Sequence, residues 1–212
     1  MLEQDPVTQN YCLGPQLLLM GLQVRGWLDI NKVALPVLQH LTKITEEDSY
    51  LTVAQGESGI FLDRVEGPYP VKVIETFGSK VPLHCGAARK VLLSFKDDDF
   101  IKNYLNQSLF KYTENTITDP DRLFREIEEI RKHGYALSCC EYLEHASGVA
   151  APVRDFTGTV RASIGIIGLS DRFSEEKIPK LIESIKQAAG RLSKKLGYSP
   201  VDVADKKHTK EV

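Results

Sequence analysis

Apolar positions recur with a helical period in some stretches and alternate in others, and the switches between the two divide the chain into elements. After the break at Gly14-Pro15, Gln16 to Leu28 sets Leu18, Leu22 and Arg25 on one face. Gly21 and Gly26 weaken this stretch, which reads as a connecting helix. Asp29 or Asn31 caps the next predicted helix, whose stripe is Ala34, Val37, Leu38, Leu41 and Ile44 or Thr45, with Pro36 in its first turns. From Tyr50 the pattern changes. Tyr50 to Val53, Gly59 to Glu66 and Val71 to Glu75 are rich in β-branched and aromatic residues and separated by glycine-rich turns, which predicts antiparallel strands.

The chain then enters Pro82-Leu83-His84-Cys85-Gly86-Ala87-Ala88-Arg89-Lys90, an extended approach, a corner of small residues and a helix. Ala88, Val91, Leu92 and Phe95 share one helical face, so the helix starts near Gly86. A helix start carries free N–H groups and partial positive charge, and Gly86, Ala87 and Ala88 have no bulk to keep an anion away. The same small residues equally suit close packing of the helix on a sheet.

A short helix follows over Lys96 to Tyr104, then a polar connection. Asp119-Pro120 supplies a cap and a first-turn proline for a helix with stripe Leu123, Ile127 and Ile130 that stops at Gly134. Strands are predicted at Tyr135 to Cys140, Gly148 to Arg154 and Val160 to Ile167, the last two joined by a turn ending in Gly158. In the last strand Val160, Ala162, Ile164 and Ile166 point one way, and Arg161, Ser163, Gly165 and Ile167 the other. The final helix runs from Phe173 or Ser174 to Leu196, with Pro179 in its first turn or marking its true start. This order predicts an α+β fold, a mixed or antiparallel sheet with helices packed on it.

Composition narrows the class. The chain has 212 residues, enough for one main domain, with 42% apolar and 26% charged residues. A net charge of -2 argues against a strong grip on nucleic acid by these residues alone. No apolar run is long enough to span a bilayer, no signal-peptide pattern opens the chain, and the four cysteines follow no disulfide framework, so a reducing cytoplasm is expected. His84, Cys85, Cys139, Cys140 and His145 are residue types that bind zinc or act as nucleophiles, but they show neither C-x-x-C nor H-E-x-x-H spacing. No metal, cofactor or catalytic residue is expected. The alternative reading is a metal-binding or enzymatic domain using His84, Cys85, Cys139 and His145, and a third is an oligomerisation module without a ligand. Gly86, Gly148 and Gly165 leave room for a guest or mark close packing.

Taken together, Tyr11-Cys12-Leu13-Gly14, the Pro82 to Lys90 stretch with Leu92-Leu93, Gly134-Tyr135-Ala136, and Gly148-Val149-Ala150-Ala151-Pro152-Val153 followed by Gly158 resemble the C-terminal part of an IclR-type bacterial transcription regulator. The resemblance implies residues 1–13 as the remnant of a winged helix-turn-helix wing, 14–28 as a linker helix, 29–198 as a GAF-like effector-binding domain and 199–212 as a disordered tail. It implies a homodimer or homotetramer, operator DNA bound through an N-terminal domain absent from this chain, and a small organic acid as effector. Carried over by position, the effector lining is Cys85, Gly86, Ala87, Ala88, Ser138, Cys139, Ala146, Gly148, Gly165 and Ile167, with the helix start holding a carboxylate. Glycine at two of these positions and isoleucine at another predict a roomier, more apolar site for a bulkier, aromatic acid. No pattern decides whether Ile60, Phe61, Leu62 or Tyr69 joins it.

Overall fold

A computed structural model describes residues 2–4, 11–13, 25–73 and 78–199. The expectations for residues 14–24 and 200–212 lie outside them. Strands β1 (Leu2–Gln4) and β2 (Tyr11–Leu13) pair antiparallel, Leu2 opposite Leu13. Helix α1 (Arg25–Thr45) runs through Asp29 and Asn31 without interruption, so neither is a cap. Pro36 lies in mid-helix rather than in the first turns, on the exposed side, where water can hydrate the carbonyl its missing N–H leaves unbonded.

The main sheet has six strands, all antiparallel, in the order β5-β4-β3-β8-β7-β6. They are β3 (Asp48–Gln55), β4 (Ser58–Val65), β5 (Val81–Pro82), β6 (Ala136–Cys139), β7 (Ala146–Arg154) and β8 (Val160–Leu169). Residues 71–73 form no strand despite their β-branched character, and the two-residue β5 takes the place beside β4 instead.

Helices cover both faces. On one, α1 and the last helix, α5 (Ile178–Lys195), bury Leu38, Leu41 and Ile185 against Leu51, Val149, Ile164 and Ile166. Helix α5 starts at Ile178 with Pro179 in its first turn, so the proline marks the true start. On the other face lie α2 (Ala87–Ser94), α3 (Asp98–Leu105) and α4 (Pro120–His133). Asp119 caps α4 by accepting from Arg122 N–H, and Gly134 ends it in the left-handed conformation, φ 74°. Every residue of α2 is buried, because it is held between the sheet and α4.

The alternation of β8 decides how closely α2 approaches. Ala162, Ile164 and Ile166 enter the α1/α5 core. Ser163 and Gly165 face the other way, and Ser163 Oγ donates to the Ala88 carbonyl of α2 at 2.8 Å. Among the described residues, no helix is long and apolar enough to cross a membrane.

Candidate functional site

Gly86 turns the chain into α2 with φ 81° and ψ 143°, a backbone that side-chain-bearing residues rarely adopt. Between the first turn of α2 and the inner sheet face lies a cavity of about 30 Å³. Gly86, Ala87 and Ala88 line it from the helix, Ser138 from β6, Ala146 and Gly148 from β7, Gly165 and Ile167 from β8. Strand register brings these distant positions together. Ser138 pairs with Gly148 and Gly148 with Ile167, while Ala150 pairs with Gly165 and Gly165 with Tyr50.

Two of the expected lining residues stand elsewhere. Cys139 follows Ser138 on a strand, so its side chain takes the opposite face and is exposed. Cys85 precedes the Gly86 turn, and its buried thiol points back to the Pro82 carbonyl at 3.7 Å.

Sequence reasoning missed the most polar part of the wall. Arg89 is 2% exposed, with its guanidinium carbon 4.6 Å from the ring centre of Tyr142 and 5.4 Å from that of Phe61, and its Nε donates to the Cys85 carbonyl. Phe61, Tyr142 and Tyr50 also line the cavity, whereas Ile60, Leu62 and Tyr69 do not. Arg89 and Lys90 sit inside an otherwise apolar run, and that interruption was the available signal.

The helix start is not an open anion seat. Glu141 Oε2 already accepts the Gly86 N–H at 3.2 Å, and its other oxygen accepts from Lys90 Nζ at 2.6 Å. Lys90 also donates to Glu126 at 2.7 Å and to the Leu137 carbonyl at 3.0 Å. A lysine that is 1% exposed thus lies between two carboxylates, so the protein itself supplies the carboxylate expected of a guest.

The expected roominess is corrected too. An apolar cavity of about 150 Å³ takes up benzene, and this one has about a fifth of that space, 30 Å³. The two glycines answer to backbone rather than to a guest. A Cβ at Gly148 would stand 2.8 Å from the Ile166 carbonyl oxygen, and one at Gly165 would stand 2.9 Å from both the Val149 oxygen and Ala150 Cβ. An aromatic acid therefore enters only if the cavity wall opens around it.

The metal or nucleophile set does not assemble. His84 is buried with both ring nitrogens engaged, Nδ1 with Tyr104 Oη at 3.1 Å and Nε2 with the Phe110 carbonyl at 2.9 Å. Burial pushes the His84 pKa below its ordinary value, although the bond to Phe110 works the other way. Burial likewise pushes the Tyr104 hydroxyl well up. Among the described residues no three His, Cys, Asp or Glu side chains group to hold a metal ion.

The architecture is thus an α+β domain whose antiparallel sheet closes a cavity against a buried helix start. Residues 23–194 match the family described as bacterial transcriptional regulator IclR C-terminal, and the chain belongs to that family. It is 34% identical over 190 residues to the HTH-type transcriptional regulator KipR of Bacillus subtilis, covering 89% of this chain and 76% of that protein. The crystal structure of the Thermotoga maritima IclR superposes with a TM-score of 0.77 at 33% identity, over 93% of this chain and 80% of the other. An IclR homolog from Microbacterium hydrocarbonoxydans, complexed with 4-hydroxybenzoate, shares the fold with a TM-score of 0.76 at 24% identity, over 93% and 80% of the two chains.

Proposed function

We propose that this domain senses a small organic acid and passes its presence to DNA binding by the parent regulator. The observation that carries the reading is a buried guanidinium, Arg89, set between two aromatic rings in the wall of a cavity floored by small residues. That arrangement suits a carboxylate attached to a flat apolar body, since arginine pairs with carboxylates and stacks on rings. The 4-hydroxybenzoate bound by the Microbacterium protein is a molecule of this class. Because Glu141 holds the Gly86 amide, the guest's carboxylate is assigned to Arg89 rather than to the helix start.

In this reading residues 1–13 end a winged helix-turn-helix, and a linker connects it to the sensing domain in a homodimer or homotetramer. The acid acts through population shift, binding one arrangement of subunits more tightly than the other. The parent protein meets its operator in the cytoplasm through the N-terminal domain, and no catalytic step is assigned to this one.

The test is a thermal-shift and calorimetric titration with benzoate, 4-hydroxybenzoate, pyruvate and, as an uncharged control, benzamide. One of the acids raises the melting temperature, with about 2.7 kcal/mol of added stability at a hundredfold excess over Kd, and benzamide does not. Ser138→Leu, which fills the cavity, and Arg89→Met both lose the response. Equal responses in the parent and both variants would sink the assignment.

A further inference from the structure

Beside the cavity, at the end of β6, the chain sets two thiols next to each other. The Cys139 thiol is exposed, and its Sγ lies 3.9 Å from Cys140 Sγ. Cys140 adopts φ 54°, a left-handed backbone unusual for cysteine, and its Sγ lies 3.2 Å from Ser170 Oγ. A hollow of about 210 Å³, lined among others by Cys140, Glu144 and His145, opens beside Cys140, and Cys139 is itself exposed, so small reagents can approach both. The remaining thiol with a described side chain, Cys85, is buried. The two residues flanking the pair have clear duties. Ser138 is in the cavity wall, and Glu141 anchors the start of α2 through Gly86 and Lys90.

We propose that Cys139 and Cys140 form a reversible oxidation site, closing to a vicinal disulfide with hydroperoxides, and that closure loosens Glu141 from the start of α2. The chemistry balances in two steps. One thiol gives up its proton and its sulfur takes an oxygen from hydrogen peroxide, and the hydroxide that leaves takes up that proton, giving a sulfenic acid and one water. The neighbouring thiol then attacks that sulfur, forming the S–S bond and releasing a second water. The thiols lose two electrons and two protons, and the peroxide is reduced to two waters.

Geometry makes the bond reversible. Neighbouring residues joined by a trans peptide have Cα atoms about 3.8 Å apart, shorter than the roughly 4.4–6.8 Å that disulfides prefer, so the ring is strained and readily reduced. Geometry also makes closure felt next door. The sulfurs must come from 3.9 Å to about 2.05 Å, which turns the backbone that carries Glu141. That backbone is held by Thr113 Oγ1 on the Cys140 carbonyl at 2.5 Å and Thr116 Oγ1 on the Glu141 carbonyl at 2.6 Å, so the turn strains a fixed segment. The inference stands apart from the organic-acid reading, since it needs no guest.

The experiment treats the folded full chain with hydrogen peroxide, alkylates free thiols and maps peptides by mass. The expected product is a peptide spanning both cysteines that is lighter by two hydrogens, resists alkylation and is restored by dithiothreitol. Cys139→Ser and Cys140→Ser each abolish it. Sulfinic acid on Cys139 beside an alkylated Cys140, or a disulfide between chains, overturns the site. Amide exchange at Gly86 reads the coupling. Loss of a bond to a charged acceptor speeds it about tenfold in the oxidised parent, with no change in peroxide-treated Cys139→Ser. Equal exchange in oxidised and reduced parent overturns the coupling.

Discussion

The carboxylate of Glu141 accepts the backbone N–H of Gly86 at 3.2 Å, joining the loop after β6 to the first residue of the turn that starts α2. The same carboxylate meets Lys90 on the next turn of that helix, so one side chain neutralises the helix start and a buried cation together. Removing it strands both. Glu141→Ala is expected to cost about 3 kcal/mol, the lower end for a broken buried pair because Glu126 still faces Lys90. Urea unfolding measures this, and Glu126→Ala, whose partner keeps Glu141, loses less.

Acid weakens the fold through His84. Its pKa is held below 6.5 in the folded chain, mainly by burial. The unfolded chain therefore binds more protons once the pH falls below that value, and stability declines from there down to the folded pKa. Above 6.5 this contribution is flat. Urea midpoints as a function of pH should show the decline in the parent and lose that part of it in His84→Gln. Asp155 acts in a separate window. Burial opposes its charge, but hydrogen bonds from Thr157 and Arg161 outweigh burial and hold its pKa below 3.8. Its contribution is present above that value and is lost only on further acidification.

Two glycines make a matched pair with opposite outcomes. Gly165→Ala places a methyl 2.9 Å from the Val149 oxygen, and overpacking of this kind costs about 1–3 kcal/mol. Gly190 lies inside α5 with nothing within 4 Å of an added Cβ, so Gly190→Ala should stabilise by roughly 0.5–1 kcal/mol. Thermal denaturation of the two variants distinguishes them by sign.

Asp119 closes the N-terminus of α4 through the Arg122 N–H at 2.7 Å. Asp119→Ala should cost about 1 kcal/mol in chemical unfolding, and Asp119→Asn much less, since asparagine caps nearly as well.

What could be read in advance follows from how local each cause is. Helix α4 was legible end to end because its cap, first-turn proline and terminal glycine all lie within one stretch. The faces of β8 were legible because alternation is a property of the strand itself. Strand β5 was not, since two residues carry no period, and residues 71–73 misled because β-branched side chains suit strands without obliging them. The start of α1 was misplaced because a residue able to cap need not do so in the middle of a continuing helix. At the site, eight expected positions surround one cavity because strand register places them there. Arg89 and Glu141 escaped notice for a different reason. A charged side chain in a sequence reads as solvated, and only the fold shows that Lys90 finds Glu141 51 residues away.

Strand β8 assigns its alternate residues to different neighbours, Ala162, Ile164 and Ile166 toward α1 and α5 and Ser163, Gly165 and Ile167 toward α2 and the cavity. A strand built this way uncouples two kinds of evolutionary change. Substitutions on the odd-numbered side reshape the cavity under α2, while the even-numbered side goes on holding the opposite layer in place. A change on one side can therefore be absorbed without rebuilding the other.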